Sequence, residues 1–100
     1  MMRDFKKIYN VVSKIPHGKV MTYKQVAQIA GVKNPRYVGL AIHRNTDITK
    51  VPCHRVIKSD GRLATGYSHG GMIKQKKILI KEKVKFDQSK IDLRKFLYTP

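Results

Sequence analysis

Residues 22–44 predict two short helices joined by a tight turn, and this pair constrains the fold more than any other stretch. Thr22 and Gln25 have the spacing of a capping box, in which two side chains satisfy the free backbone N–H groups at a helix start. Gly31 then supplies a left-handed stop. Asn34-Pro35 combines an N-cap with proline at the first helical position, so a second helix begins there.

A helix pair of this outline is typical of a helix-turn-helix, whose second helix enters a DNA groove with its N-terminal residues leading. Here the leading side chain is Arg36. The chain has 22 Lys and Arg against 6 Asp and Glu, a net charge of +16. Charge of one sign repels itself, and a polyanionic partner relieves that repulsion. Nucleic acid is the first candidate partner and an anionic membrane surface the second. An ordinary helical hairpin with a solvated basic surface is the alternative.

The other elements predict one mainly helical domain. Apolar residues of helical period predict a first helix that begins near Phe5 and ends near Ile15, because Pro16 disfavours helix before it. A further helix is expected to start near Gly71, and residues 84–86 are expected to be extended. The tail, residues 91–98, mixes apolar and basic residues and is expected to pack across the body. One hundred residues correspond to a single domain.

Several classes of protein are excluded by composition. The apolar runs are too short for a membrane span, and the N-terminus lacks the features of a secretion signal. A single cysteine forms no intramolecular disulfide and suits a reducing cytosol, so a cytoplasmic location is expected. The four histidines are scattered and form no zinc-ligand motif, so no metal and no cofactor are expected.

The cysteine lies in the stretch Val51–Ile57, where Pro52 excludes the middle of a helix and predicts a turn at Cys53 and His54. A lone cysteine is usually a small buried hydrophobic residue without chemistry. Cys53 is also a candidate nucleophile, because the neighbouring His54 and Arg55 could both favour a thiolate. Both interpretations stay open from these residues alone.

A glycine-rich segment from Arg62 to Gly71 follows this stretch. Glycine-rich loops often cradle phosphate, but no Lys-Ser or Lys-Thr pair follows here, which argues against nucleotide binding. Close backbone approach to some other ligand fits the composition better.

Four short motifs together resemble one family. Residues 15–23 (IPHGKVMTY), residues 36–39 (RYVG), Asn45 and residues 52–56 (PCHRV) are similar to the C-terminal, active-site domain of 6-O-alkylguanine-DNA alkyltransferases. The resemblance extends from about Phe5 to Glu82. It implies a single, mainly α, winged helix-turn-helix domain with minor β structure over residues 1–100. It also implies DNA repair by direct reversal, in which the protein flips 6-O-alkylguanine out of the duplex and takes the alkyl group irreversibly, once per molecule.

The resemblance assigns catalytic roles to five residues. Cys53 would accept the alkyl group, with His54 as its base acting through a water. Glu82, the only glutamate in the chain, would orient His54 and balance its charge. Asn45 would brace the active-site turn by hydrogen bonds. Tyr23 would help to rotate the guanine nucleotide out of the stack.

The resemblance also implies a DNA-binding surface. Arg36 would fill the space that the flipped nucleotide leaves, and Tyr67 and Ser68 would contact the flipped base, although their loop is about two residues longer here than in the family. The full set of expected DNA contacts is Thr22, Tyr23, Arg36, Tyr37, Gly39, Arg44, Tyr67 and Ser68.

Two departures from the family leave a second reading open. The usual N-terminal domain, with the zinc site that some members carry, is not expected in this chain, and a separate partner chain in its place is a further possibility. The length and the ending Leu93–Pro100 are similar to alkyltransferase-like proteins, which typically have tryptophan at the acceptor position and pass alkylated guanine to excision repair. In either case the resemblance implies a monomer that acts on double-stranded DNA containing 6-O-alkylguanine. The chain is either a transferase or a damage-sensing protein with excision-repair partners.

Overall fold

The computed structural model describes residues 2–64 and 69–100, which contain five helices and four short strands. The helices are α1 (Met2–Val12), α2 (Tyr23–Ala30), α3 (Pro35–Arg44), α4 (Gly71–Lys81) and α5 (Leu93–Phe96). The strands are β1 (Met21–Thr22), β2 (Val56–Ile57), β3 (Phe86–Asp87) and β4 (Lys90–Ile91), and a 3-10 turn spans Cys53–Arg55. The predicted mainly α fold with minor β structure is confirmed.

The predicted helix caps are present at the start of α2 and at both ends of the turn that joins α2 and α3. The Thr22 hydroxyl accepts a hydrogen bond from the backbone N–H of Gln25 at 3.1 Å. Gly31 ends α2 with φ 74°, in the left-handed region that favours glycine. The Asn34 side chain accepts a hydrogen bond from the backbone N–H of Arg36 at 3.0 Å, and Pro35 begins α3. Local signals therefore determine this pair, as the sequence predicted.

The main hydrophobic core lies between α1, α2 and α3. Ile8 and Val12 of α1, Val26 of α2, and Val38 and Ile42 of α3 are almost completely buried in it. Full burial of each such side chain stabilises the fold by about 1.5–3 kcal/mol. The opposite face of α3 stays in solvent, because the side chains at its positions 35, 36, 40, 43 and 44 are all exposed. A recognition helix requires this arrangement.

Short strands bring the cysteine segment and the tail against the helix pair. β1 and β2 are parallel, with Met21 opposite Val56, so the 3-10 turn at Cys53 lies beside the start of α2. β3 and β4 form an antiparallel hairpin. The tail packs across the body as predicted. The backbone N–H of Tyr98 donates to the Val20 carbonyl at 2.8 Å, and the Tyr98 carbonyl accepts from Gln25 Nε2 at 2.6 Å.

The turn at Asp60-Gly61 brings the chain against the β3–β4 hairpin. Gly61 has φ 87°, and a Cβ atom there would lie 2.6 Å from the Ile91 carbonyl oxygen. The Ile91 N–H donates to the Gly61 carbonyl at 2.8 Å. Across the described residues, no helix combines the length and the apolar character that crossing a membrane would require.

Candidate active site and nucleic-acid interface

The candidate nucleophile lies at the start of the 3-10 turn. The Cys53 N–H donates to the Val51 carbonyl at 2.8 Å, and the Arg55 N–H donates to the Pro52 carbonyl at 2.9 Å. These two bonds wind the chain tightly immediately before β2. Cys53 is completely buried, with 0 % of its surface exposed.

Asn45 connects three segments around this turn. Its side-chain Nδ2 donates to the Val51 carbonyl at 2.8 Å, and its Oδ1 accepts from the Asp47 N–H at 3.1 Å. Its backbone carbonyl oxygen lies 2.6 Å from Nε2 of His69, which directly precedes the glycines at the start of α4. Asn45 is itself 5 % exposed. The end of α3, the cysteine turn and the start of α4 are therefore held together through one residue.

A buried ion-pair network joins the cysteine turn to the end of α4. His54 Nε2 lies 2.8 Å from Glu82 Oε2, and both side chains are buried. Arg55 donates two hydrogen bonds to the same carboxylate, from Nε to Oε1 at 2.9 Å and from Nη2 to Oε2 at 2.7 Å. The third guanidinium nitrogen, Nη1, donates to the Ile15 carbonyl at 2.8 Å. A bidentate, charge-assisted pair of this kind has a fixed geometry, so Glu82 is held rigidly.

The network sets the protonation states of its members. Burial alone would raise the pKa of Glu82, but the hydrogen bonds and the charge interactions with Arg55 and His54 together outweigh it and lower the pKa to about 2. Burial, together with the positive charges of Arg55 and His17, lowers the pKa of His54 despite the opposing Glu82 carboxylate, so the imidazole is neutral. Because a carboxylate only accepts hydrogen bonds, Nε2 carries the proton, and Nδ1 is left as the proton acceptor. Nδ1 is buried and has no hydrogen-bond partner within the described part of the chain.

The Cys53 thiol is protonated in this resting arrangement. Burial raises its pKa more than hydrogen bonding from the Asn45 side chain and its own backbone lowers it. The expectation that both neighbouring basic residues favour a thiolate is therefore wrong for the resting protein. Arg55 directs its guanidinium to Glu82 and Ile15, and His54 is neutral. A thiolate must be generated by proton transfer when substrate is present.

Two residues of this site were missed by sequence reasoning. Arg55 was considered only as a neighbour of the cysteine, yet it neutralises Glu82 from a sequence separation of 27 residues. Gln75, which is 1 % exposed, donates from Nε2 to the carbonyl oxygens of His54 and Val56 at 2.9 and 3.2 Å. The sequence contains one indication of Gln75, because its spacing of four and seven residues from Leu79 and Glu82 places all three on the same helix face.

An open groove lies between α3 and the N-terminal end of α4, and we call it the lesion groove. Its volume is about 660 Å³, and it contains Tyr23, Arg36 and Gly39 from the predicted DNA-binding set. Tyr23 is half-buried, and burial together with the nearby Cys53 raises the pKa of its phenol to about 12. The phenol therefore stays protonated and can donate a hydrogen bond. The other lining residues are Pro35, Lys58, Leu63, Ala64 and Met72.

The other residues predicted to contact DNA do not line the lesion groove among the described residues. Thr22 is 7 % exposed and its hydroxyl is used in the α2 cap, so its contact with DNA stays a prediction. Tyr37 is half-buried with its ring edge-on to Phe5, at a centroid distance of 6.2 Å. Arg44 is exposed at the end of α3. The predicted residues Tyr67 and Ser68 lie outside the described residues.

Metal ligation has no support from the part of the chain that the structure describes. There, no three His, Cys, Asp or Glu side chains are grouped so that they could hold an ion. Among the described residues, the site contains a buried thiol, a neutral imidazole whose Nδ1 has no hydrogen-bond partner, and a carboxylate held by arginine.

Comparisons with known proteins agree with this geometry. The family described as 6-O-methylguanine DNA methyltransferase, DNA binding domain, matches residues 4–84. A methylated-DNA–protein-cysteine methyltransferase of Saccharolobus islandicus is 47% identical over 68 residues, which are 68% of this chain and 43% of the relative. The chain thus spans less than half the length of this curated relative.

Two solved structures are similar to the whole fold or to most of it. S. pombe Atl1, in complex with damaged DNA containing O6-carboxymethylguanine, has a TM-score of 0.89 and 34% identity, over 100% of this chain and 98% of Atl1. Mycobacterium tuberculosis OGT, in complex with DNA, has a TM-score of 0.73 and 34% identity, over 79% of this chain and 48% of OGT. Both neighbours were crystallised with DNA.

Proposed function

Because the chain belongs to the 6-O-methylguanine DNA methyltransferase family through the DNA-binding domain at residues 4–84, we propose that it repairs DNA by direct reversal. The protein flips 6-O-alkylguanine out of the duplex and transfers the alkyl group irreversibly to Cys53. The domain acts in the cytoplasm as a monomer on double-stranded DNA, and no cofactor takes part. Each molecule reacts once, because the S-alkylcysteine product is a thioether without an easy leaving reaction.

The observation that carries this proposal is the buried hydrogen bond between Glu82 and His54, the residue directly after Cys53. Nδ1 of His54 is a free acceptor directly after the cysteine in sequence, and Glu82 holds the other ring nitrogen at 2.8 Å. His54 takes the thiol proton through a water, and the sulfur then attacks the alkyl carbon. A sulfur–carbon bond forms, the carbon–oxygen bond to guanine breaks, and the proton returns to the guanine. The test is whether intact-protein mass rises by one methylene with a 6-O-methylguanine duplex.

The lesion groove supports the flipping step. An alkyl carbon inside the duplex cannot reach a buried thiol, so the base must leave the stack. Arg36 is exposed at the N-terminal turn of α3 and lines the groove beside Tyr23, where it can enter the vacated space. Asn45 braces the cysteine turn, and Arg44 adds charge at the far end of α3. Contacts of Thr22 and Tyr37, and of Tyr67 and Ser68 with the flipped base, complete the proposed interface.

DNA affinity is expected to fall steeply with salt and to depend on Arg36. Each neutralised phosphate releases counterions, so several contacts give a loss of roughly a thousandfold between about 50 and 200 mM salt. Arg36→Ala should weaken binding of a lesion-containing duplex and impair flipping without changing the melting temperature, because the side chain is exposed. Fluorescence anisotropy and the emission of a 2-aminopurine beside the lesion measure the two effects. Salt-independent binding, or a variant that binds normally, would contradict the proposed interface.

Gly39 offers a test of how closely DNA approaches α3. A Cβ atom at this position would have no described atom within 4 Å apart from its chain neighbours and the backbone of its own helix, so packing does not require glycine. Gly39→Ala should therefore stabilise the free protein by about 1 kcal/mol, since alanine favours helix. We expect the same change to weaken binding to a lesion-containing duplex, because Gly39 lines the lesion groove. Thermal unfolding and anisotropy, measured on one preparation, should move in opposite directions. Unchanged DNA affinity would remove Gly39 from the interface.

A damage-sensing function is the second candidate. The similarity to Atl1 covers nearly the full length of both chains, whereas OGT is matched over less than half of its own length. In addition, Cys53 is completely buried and its pKa is raised. In this function the protein binds 6-O-alkylguanine without transfer and recruits excision-repair proteins. Tight binding of the lesion without any change in protein mass identifies it.

A further inference from the structure

Helix α4 turns large apolar side chains towards solvent. Ile73 is 75 % exposed, Ile80 53 % and Met72 43 %. The opposite face of the helix is buried through Gln75 and Leu79. Because Ile73, Lys76 and Ile80 follow helical spacing, the exposed residues form one continuous face. A contiguous exposed apolar face of this kind is typical of an interaction surface.

Two shallow depressions flank this face and share Lys76 and Phe86, and together we call them the α4 groove. Their volumes are about 270 and 590 Å³. Lys76 Nζ lies 5.2 Å from the centroid of the Phe86 ring, a cation–π contact that keeps the ammonium above the apolar surface. The apolar lining consists of Leu63, Met72, Ile73, Ile80, Val84 and Phe86.

The rim of the α4 groove is positively charged. It is lined by Arg62, Lys76, Lys83 and Lys85, and among the described residues no acidic side chain lines either depression. An apolar surface with a basic rim is complementary to an acidic segment that carries apolar side chains. A second copy of the chain is disfavoured, because it would bring the same positive rim.

Nucleic acid does not fit this surface. A phosphate backbone would pair with the lysines but would leave the exposed isoleucines in water, whereas a protein segment buries them. The proposed DNA-binding residues Arg36 and Gly39 line the lesion groove and not the α4 groove. Leu63 and Met72 line both, so the two grooves are adjacent. A protein bound in the α4 groove would thus lie beside the DNA site without occupying it.

We propose that the α4 groove binds an acidic segment of a partner protein with two apolar anchors about two helical turns apart. Ile73 and Ile80 are seven residues apart, so their separation along the α4 axis is about 10 Å. One anchor packs between Ile73 and Phe86, and the other packs beside Ile80. Carboxylates of the segment pair with the rim. This interaction is independent of whether Cys53 accepts an alkyl group, and so goes beyond the proposed function.

The test uses a panel of labelled acidic helical peptides with leucine, isoleucine, methionine or phenylalanine anchors seven residues apart. Each has a control in which serine replaces both anchors at the same charge. In nuclear magnetic resonance spectra of the nitrogen-15-labelled protein, the anchored peptides should shift resonances of α4 and of the β3–β4 hairpin. By anisotropy they should bind at least about tenfold more tightly than the serine controls, a difference of about 1.4 kcal/mol.

Matched variants make the result specific. Ile73→Ser combined with Ile80→Ser should weaken peptide binding at least tenfold, whereas Ile29→Ser, at a 48 % exposed isoleucine of α2, should not. Lys76→Glu should weaken it more than Lys77→Glu, because Lys77 lies on α4 outside the groove. None of these changes should reduce affinity for duplex DNA as Arg36→Ala does.

Three outcomes would overturn the proposal. The serine controls could bind as well as the anchored peptides, which would reveal simple charge attraction. The shifts could fall on α3 and disappear with duplex DNA, which would make the peptides DNA mimics. Finally, the whole panel could leave α4 unshifted at about 1 mM, where even weak segments are detectable.

Discussion

Incubation with duplex DNA containing 6-O-methylguanine is expected to add one methylene to the intact protein, at Cys53 and nowhere else. The thiol is protonated at rest, and only the bound lesion brings an alkyl carbon to it while His54 removes the proton. Intact mass spectrometry measures the gain, and digestion maps it to the peptide that contains Cys53. The increase should stop at one methyl group per protein molecule, while the duplex regains guanine.

Two controls separate this reaction from ordinary thiol chemistry. Cys53→Ala should bind the lesion but gain no mass. A small thiol reagent such as iodoacetamide should modify the wild-type protein slowly, since the thiol is completely buried and its pKa is raised. Fast methyl transfer from the duplex together with slow alkylation by the free reagent would show that DNA binding brings the reacting atoms together. If the wild-type protein binds the lesion tightly and its mass never changes, the transferase proposal is wrong and the damage-sensing function replaces it.

The parts of the fold that were predictable from sequence are those set by nearby residues. The caps at Thr22 and Asn34 act over three residues or fewer and the stop at Gly31 acts over four, so their spacing is sufficient. The parallel pairing of β1 with β2 was not predictable, because it joins two-residue strands that are 35 positions apart, Met21 and Val56. Strands this short have no periodicity to detect.

The candidate site was predictable only in part, for the same reason. Cys53 and His54 are adjacent and visible, while Glu82 as their partner came only from the family resemblance. The grip of Arg55 on Glu82 and the bonds of Gln75 to the cysteine turn depend on how α4 packs, across 27 and 21 residues. The same packing fixes which face of α4 is buried. The outward position of Ile73 could not be foreseen, since an isoleucine in a helix usually faces the core.

Glu82→Gln is expected to slow methyl transfer by about a hundredfold or more while duplex binding changes little. The Glu82 carboxylate accepts a hydrogen bond from Nε2 of His54, with Oε2 and Nε2 2.8 Å apart. The proton therefore stays on Nε2, which leaves Nδ1 as the base. The carboxylate also stabilises the imidazolium that forms when the thiol proton is taken. A neutral amide does neither reliably, because it can turn its own N–H groups towards the ring. Single-turnover rates of mass gain at saturating duplex measure the effect, and anisotropy measures the binding.

The transfer rates of the wild-type protein and of Glu82→Gln should be compared near neutral pH, because the ionised Glu82 carboxylate stabilises the folded protein there. Its pKa is lowered from 4.5 to about 2 in the folded protein, so the carboxylate stabilises the fold above pH 4.5. That contribution is lost as the pH falls from 4.5 towards 2. The wild-type protein should therefore unfold at a higher temperature than Glu82→Gln at neutral pH, and the difference should shrink in acid.

Loss of stability could itself slow transfer, and Arg55→Lys provides the matched control. Lysine keeps the positive charge beside Glu82 but loses the bidentate grip and the bond to the Ile15 carbonyl, so the fold is weakened through the same network. The hydrogen bond between His54 and Glu82 remains available in this variant. If Glu82 acts through His54, Arg55→Lys transfers much faster than Glu82→Gln when both are folded at the assay temperature. Equal rates in the two variants would mean that Glu82 supports only the fold, and His54 would then need no carboxylate to act as the base.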